Sequence, residues 1–371
     1  MGRPLRVLHV VVNMNRGGAE TLLMNLYRNI DRTKVQFDFL TCKPGVFDSE
    51  IEDMGGIIHR IPYVTDIGHL GYKKALVKFF ESQDYKIVHA HMDKMSGIVL
   101  QCAKRSEVPV RIAHSHNTRS EGGIVSKLYK SFAGSHIKKD ATHRFACSQS
   151  AAEWLFGRQS NQTYVLKNGI DNRKFLYSSK DRRDVRAQLN IRDDTFVIGH
   201  VGRFNHQKNH EFLLEVFQQF SMVHGNTILL LAGDGVLKKR MEMKSRELGI
   251  HEYVNFLGVR EDVDKLLQAF DMFLFPSYHE GLPVTLIEAQ NAGLPCFITN
   301  TITEEVDMGL GLVQQYPLTH HHEWVEAIKA LSIQRSSRLI DPDRLSQKGY
   351  DIQQTAMKTQ NDYIQLGREV S

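Results

Sequence analysis

Along most of the 371 residues, apolar runs of strand length alternate with amphipathic stretches of helical period, and the alternation runs its course twice. No other feature constrains the fold as much. Strands separated by helices pair in parallel and need helices on both faces of the sheet. In the first half the apolar runs are 5–13, 35–42, 57–61, 85–90, 110–114 and 144–148, with 162–167 as a last strand; helical period is clear at 20–30 and 73–82. A turn at Asn168-Gly169-Ile170-Asp171 leads into the polar, charge-dense residues 172–184. The pattern then restarts, with strands at 196–201, 227–232, 253–257, 271–275 and 295–299 and helices at 209–223, 236–248, 261–269 and 283–292. Beyond Thr319 the chain reads as helix to its end. The expectation is an α/β chain of two Rossmann-like, doubly wound domains, 1–171 and 172–371. Ligands would lie in a cleft between them, at the carboxyl ends of the strands, and the helical C-terminal tail would be free to pack back on the first domain.

Composition narrows the function classes. Charged residues make up 24% and hydrophobic residues 42% of the chain, an ordinary globular mix that argues against wholesale disorder. No apolar stretch approaches the ~20 residues of a membrane-spanning helix. The N-terminal apolar run is too short and too strand-like for a signal peptide. Cys42, Cys102, Cys147 and Cys296 show no Cys-x-x-Cys spacing, so free thiols in a reducing cytosol are expected. Residues 1–170 hold 24 Lys/Arg against 15 Asp/Glu and the remainder 23 against 27, so the overall +5 hides a basic first half and an acidic second half.

Four segments carry chemistry. The first is Phe275-Pro276-Ser277-Tyr278-His279-Glu280-Gly281-Leu282-Pro283-Val284-Thr285-Leu286-Ile287-Glu288-Ala289, a strand running through a turn into a helix. Backbone N–H groups around Gly281 and Leu282 would offer an anion site at the helix entry. Glu288 sits among apolar neighbours, where a carboxylate is costly unless partnered; vicinal ribose hydroxyls would partner it. The second is Gly199-His200-Val201-Gly202-Arg203-Phe204-Asn205-His206-Gln207-Lys208-Asn209, in which two cations five residues apart at a strand–helix junction suit a diphosphate. The third, Asn13-Met14-Asn15-Arg16-Gly17-Gly18-Ala19-Glu20, follows the first strand, and Gly17 and Gly18 serve either tight packing or close backbone approach to a ligand. It is not a G-x-G-x-x-G dinucleotide fingerprint, which disfavours a dehydrogenase. The fourth is Val110-Arg111-Ile112-Ala113-His114-Ser115-His116-Asn117, a strand ending in polar residues.

The first block, with Asn291-Ala292-Gly293-Leu294-Pro295 behind it, resembles the signature of the retaining GT-B glycosyltransferases of family four, also called glycosyl transferases group one. The resemblance implies two Rossmann-like domains clasping a nucleotide-sugar, with Glu280 at the donor sugar and Glu288 at the ribose. It gives Arg203 and Lys208 the diphosphate and the backbone near Val259 the base, and it supports Gly17 and Gly18 as contacts to diphosphate or acceptor. A functional histidine is expected in the fourth segment. His114 and His116 both qualify; His116 is preferred because it lies beyond the strand, and structural roles are favoured for His89 and His91. Catalytic residues are thus His116 and Glu280, the donor is a UDP-sugar, and the acceptor is a glycan or lipid-linked glycan in bacterial surface polysaccharide assembly. Retention without an obvious enzymatic nucleophile implies same-face attack by the acceptor. No metal, other cofactor or nucleic acid is expected. The rival readings are a nucleotide-sugar epimerase on the same fold and a silent nucleotide- or glycan-binding protein.

Metal-binding motifs are weak. Asp341-Pro342-Asp343 and Asp262-Val263-Asp264 read as helix entries, as does His320-His321-His322-Glu323. Finally, Ile124, Leu128 and Phe132 recur at four-residue steps with Val125 and Tyr129 beside them, while Lys127, Lys130, Lys138 and Lys139 lie mainly off that stripe. Such a helix either packs on its own domain or rests on an anionic membrane, which would place the protein in the cytoplasm, peripheral at the inner face of the plasma membrane.

Overall fold

The computed structural model describes residues 3–333, 338–341 and 343–370. The chain divides into two compact units, 1–169 with 349–371, and 170–348. The sequence expectation puts the boundary at 171/172 with the helical tail free to pack back on the first domain; the units divide at 169/170, and residues 349–371 group with the first.

The first unit contains β1 (Leu5–Val10), β2 (Val35–Thr41), β3 (Ile58–Arg60), β4 (Ile87–Ala90), β5 (Val110–Ser115), β6 (His143–Ala146) and β7 (Tyr164–Val165). They pair in the order β3-β2-β1-β4-β5-β6-β7, parallel throughout. The order reverses between β1 and β4, so the loops leaving these two strands diverge and open a crevice at their carboxyl ends. Val7, Phe37, Ile87 and Ile112 meet Leu22 and Leu26 of the Gly18–Asn29 helix and Ile352, Ala356 and Tyr363 of the C-terminal helix Ile352–Arg368 in one core. The side-chain carbonyl of Gln360 accepts from the backbone N–H of Asp31 at 2.7 Å, tying the tail to the end of the first helix.

The second unit contains β8 (Phe196–Val201), β9 (Thr227–Ala232), β10 (Val254–Gly258), β11 (Met272–Phe275), β12 (Cys296–Thr299) and β13 (Val313–Tyr316), ordered β10-β9-β8-β11-β12-β13 and again parallel. Its switch point lies between β8 and β11. Ile198, Leu229, Leu231, Met272 and Leu274 pack on Phe212, Phe217 and Phe220 of the His210–Ser221 helix and on Trp324 and Ile328 of the His321–Ile333 helix.

Two differences from the sequence expectation have physical causes. β13 was not foreseen, because an edge strand needs only partial burial and Val-Gln-Gln-Tyr carries a weak apolar signal. The tail is not one helix but three described helical segments, His321–Ile333, Asp343–Gln347 and Ile352–Arg368. Of Asp341-Pro342-Asp343, Pro342 lies outside the described residues; Asp341 Oδ1 accepts from the Asp343 backbone N–H at 3.0 Å.

Candidate functional site

The loops leaving β8 and β11 flank the switch point of the second sheet, and they carry Arg203, Lys208, Glu280, Gly281 and Leu282. Hydrogen bonds and an ion pair link the two loops. The Gln207 carbonyl accepts from the backbone N–H of Tyr278 at 2.9 Å, and Gln207 Nε2 donates to the carbonyl of His279 at 2.8 Å. Lys208 Nζ donates to Glu280 Oε1 at 2.7 Å and lies 4.5 Å from the centre of the Phe275 ring. Both side chains of this ion pair are largely buried. Lys208 sits in the loop, two residues ahead of the helix that starts at His210, and Asn209 between them is in the left-handed conformation. Arg203 is exposed at the beginning of the same loop.

The β8 loop is shaped from the side by residues the sequence reading passed over. Gly233 follows β9 with φ +141°, and a Cβ there would stand 2.0 Å from the carbonyl oxygen of Gly202. Only glycine allows that approach. Phe204 N–H donates to the Asp234 carbonyl at 2.9 Å, and Leu237 N–H to the Phe204 carbonyl at 3.0 Å. The readable signal was the pair of glycines in Gly233-Asp234-Gly235, directly after an apolar run.

Glu288 lies one turn inside the Val284–Asn291 helix, whose N-cap position is Pro283. Among the described residues its carboxylate accepts no side-chain hydrogen bond. Burial pushes its pKa up to about 7, opposed by the charge of Lys174 and reinforced by that of Asp264. Those two side chains pair at 3.6 Å. Asn291 Nδ2 donates to the Asn172 carbonyl at 2.6 Å and fixes the short 172–175 helix that carries Lys174. Lys174 and Asp264 reach Glu288 only through tertiary packing and carry no local sequence signal. Val259, just past β10, is exposed.

In the first unit, Gly17 and Gly18 stand at the entry of the Gly18–Asn29 helix after β1. Gly17 has φ −133°, and a Cβ on Gly18 would meet nothing within 4 Å. Tight packing therefore does not require glycine at 18. His114 is fully buried in β5, whereas His116 lies just beyond the strand and is half-buried. His89 and His91 are buried at the end of β4 and hydrogen-bonded to other side chains. Among the described residues the cysteines form no disulfide, and Cys102, Cys147 and Cys296 are buried. The first unit also presents the apolar stripe outward: on the Ile124–Ser135 helix Ile124 is 79% exposed, Val125 81%, Leu128 66% and Phe132 53%. A shallow groove of about 370 Å³ beside it is lined by Lys94, Arg119, Lys127, Ile124, Leu128 and Trp154, among others. Among the described residues no helix is long and apolar enough to cross a membrane.

Residues 181–340 match Glycosyl transferases group 1, and residues 16–174 match Glycosyltransferase Family 4. The chain belongs to this family of glycosyltransferases, and its two parallel α/β units are the GT-B fold. Among individual relatives, it is 40% identical to EpsF of Bacillus subtilis (strain 168) over 369 residues, 96% of each chain. It is 26% identical to the UDP-Gal:alpha-D-GlcNAc-diphosphoundecaprenol alpha-1,3-galactosyltransferase of Escherichia coli, over 80% of this chain and 79% of that one. Anabaena Alr3699/HepE, solved in complex with UDP-glucose, superposes with a TM-score of 0.75 over 98% of this chain and 99% of its own, at 20% identity.

Proposed function

We propose that this glycosyltransferase is a retaining enzyme that moves a sugar from a UDP-sugar to a glycan or lipid-linked acceptor in surface polysaccharide assembly. The observation that carries the donor assignment is the Lys208–Glu280 pair at the β8/β11 switch point. It holds a cation and a carboxylate together in a partly dehydrated place, where each is ready for a stronger partner. An arriving diphosphate takes Lys208 together with Arg203 and stabilises the charge that develops on the leaving group. Glu280, released from Lys208, accepts from the hydroxyls of the donor sugar. Glu288, lacking hydrogen-bond donors of its own, accepts from the ribose. Backbone at Val259 meets the base, and Gly281 and Leu282 supply backbone groups beside the sugar and phosphate. Gly17 and Gly18, where no packing demands glycine at 18, leave room for a ligand close to the first helix. His116 contacts the reacting sugar or the acceptor. Arg203 and Lys208 meet the diphosphate charge, so no metal is assigned to this step.

The similarity to a galactosyltransferase acting on a diphosphoundecaprenol-linked sugar favours a membrane-borne acceptor. The exposed apolar stripe of the Ile124–Ser135 helix beside Lys94, Arg119 and Lys127 suits an anionic bilayer surface.

A panel of UDP-, GDP- and ADP-sugars followed by thermal unfolding tests the donor. A UDP-sugar at a hundred times its Kd stabilises the protein by about 2.7 kcal/mol. Absence of any shift at millimolar concentrations overturns the donor assignment. Donor turnover measured with and without acceptor then separates transfer from epimerisation, which needs no acceptor.

A further inference from the structure

Five histidines from three neighbouring strands share one face of the first sheet. His9 of β1 is in register with His89 of β4, and His114 of β5 and the residues just past β4 and β5, His91 and His116, extend the patch toward the carboxyl edge. Their rings form two hydrogen-bonded rows. In one row His9 Nδ1 meets His91 Nε2 at 3.0 Å, and His91 Nδ1 meets His116 Nε2 at 2.9 Å. In the other, His114 Nδ1 meets His89 Nε2 at 3.1 Å, and His89 Nδ1 meets the Tyr363 hydroxyl at 2.6 Å. The rows stack on each other, His89 on His91 with ring centres 4.2 Å apart and His114 on His116 at 4.0 Å.

Each row dead-ends in the core. His9 Nε2 and His114 Nε2 are buried with no hydrogen-bond partner. Burial keeps the rings neutral, lowering His9 and His116 to about 3 and His91 and His114 well below the usual histidine value. A neutral imidazole carries one N–H, so the blind end sets the direction of each row. A buried N–H without an acceptor is rarer than a buried acceptor left bare. His9 Nε2 is therefore bare, and its Nδ1–H donates to His91 Nε2. His91 in turn donates from Nδ1 to His116 Nε2, which leaves the single proton of His116 on Nδ1. Among the described residues that nitrogen has no partner. The backbone N–H of His116 is fixed separately, donating to Asp93 Oδ1 at 2.8 Å from a residue held at φ +47°.

We propose that His9 and His91 are positioning residues that hold His116 as its Nδ1–H tautomer, so that it presents a hydrogen-bond donor to a phosphate or hydroxyl oxygen of the bound substrate. The substrate part rests on the reading of His116 as a substrate-contacting group; the tautomer part stands on geometry alone. A transition metal is the other guest that clustered imidazoles suggest. Two triads, His9–His89–His91 and His91–His114–His116, do bring ring nitrogens within 4.8 Å of one another, but nitrogens joined ring to ring by the hydrogen bonds above would have to give those up to converge on an ion at about 2.0–2.1 Å.

The first test needs no substrate. Long-range 1H–15N spectra of the full-length protein labelled with 15N-histidine distinguish Nδ1–H from Nε2–H, and the signals lost in His116→Gln identify His116. His116 is expected as Nδ1–H at neutral pH. In His9→Leu, where His91 Nε2 loses its donor, the His116 signals should move toward the other tautomer. His9→Asn, whose amide nitrogen falls near the place of Nδ1, should restore them. Turnover should follow, with kcat down about tenfold in His9→Leu, donor KM unchanged and most of the rate recovered in His9→Asn. An Nε2–H His116 in the wild type, His116 signals unmoved in a folded His9→Leu protein, or one equivalent of co-purifying zinc overturns the relay. If His9→Leu does not fold, the wild-type spectrum alone decides the tautomer. Wild-type kcat in His116→Ala, with His116 of the wild type found as Nδ1–H, overturns the substrate contact and leaves the relay standing as a structural array.

Discussion

Lys208 and Glu280 stand 72 positions apart in the chain, yet they share a hydrogen bond that neither motif specifies by itself. Replacing Lys208 therefore has two consequences. Lys208→Ala and Arg203→Ala should each lower kcat/KM by about a hundredfold or more, as expected when charge stabilisation on a leaving group is removed. Lys208→Ala should also destabilise the unliganded protein by about 1–3 kcal/mol, because Glu280 is left buried without its cation. Steady-state kinetics and denaturant titration check the two effects, and wild-type turnover in either variant would remove the diphosphate assignment. Glu288 carries the opposite stability sign. Its folded pKa of about 7 lies above the ordinary carboxylate value, so between pH 4.5 and 7 the folded state binds more protons than the unfolded state. Stability through this group falls as pH rises across that window. Glu288→Gln should flatten that slope and keep or raise the melting temperature at pH 8, while weakening UDP-sugar binding about tenfold by calorimetry. A variant that melts lower at pH 8 and binds normally would refute the ribose role.

At the scale of elements, β1, β4 and β5 carry the histidine rows into a dry core. Each ring is lowered from an unfolded value of 6.5, to about 3 for His9 and His116, so the unfolded chain takes up protons first on acidification. Stability of the first unit is complete above pH 6.5 and is lost progressively toward pH 3, by up to about 1.4 kcal/mol per pH unit for each histidine. Denaturant midpoints measured from pH 7 to pH 4.5 should fall steeply, and less so in His9→Leu. The Ile124–Ser135 helix makes a separate prediction. Its apolar stripe faces outward with Lys127 and Lys130 nearby, so the protein should co-sediment with anionic but not neutral vesicles. High salt should abolish binding, because surface charges are screened within about 8 Å at physiological ionic strength. Reversing both lysines to Glu should weaken it. Wild type that ignores anionic vesicles at low salt would sink the membrane assignment.

At the scale of the whole molecule, the chain builds its first unit, completes the second, and returns to close the first with residues 349–371. Ile352, Ala356, Tyr363 and Leu366 are buried in the first core, and Tyr363 also ends a histidine row. Deleting 352–371 should therefore expose apolar surface on the first unit, read as dye binding and a lost cooperative transition. UDP should still raise the transition of the second unit, whose core contains none of these residues. Loss of both transitions would show that the units do not fold separately.

Much of this was legible in the chain itself. Period-2 and period-3.6 patterning located twelve of the thirteen described strands, because burial on both faces of a parallel sheet imposes apolar runs that any reader of the sequence meets. The sequence also puts Arg203, Lys208 and Glu280 on strand-to-helix loops and Glu288 inside the helix that follows, and the structure has them there; their contacts to phosphate, sugar and ribose belong to the proposal. What the tertiary structure alone decided is long-range. The weak edge strand β13, the Lys208–Glu280 pair, the Lys174 and Asp264 charges around Glu288, the register that lines up His9 with His89, and the ring contact of His91 with His116 all join residues far apart in the chain. Local propensity depends on neighbours a turn or two away. Register and partnership depend on which strands lie side by side, and that is settled when the whole sheet closes around its core.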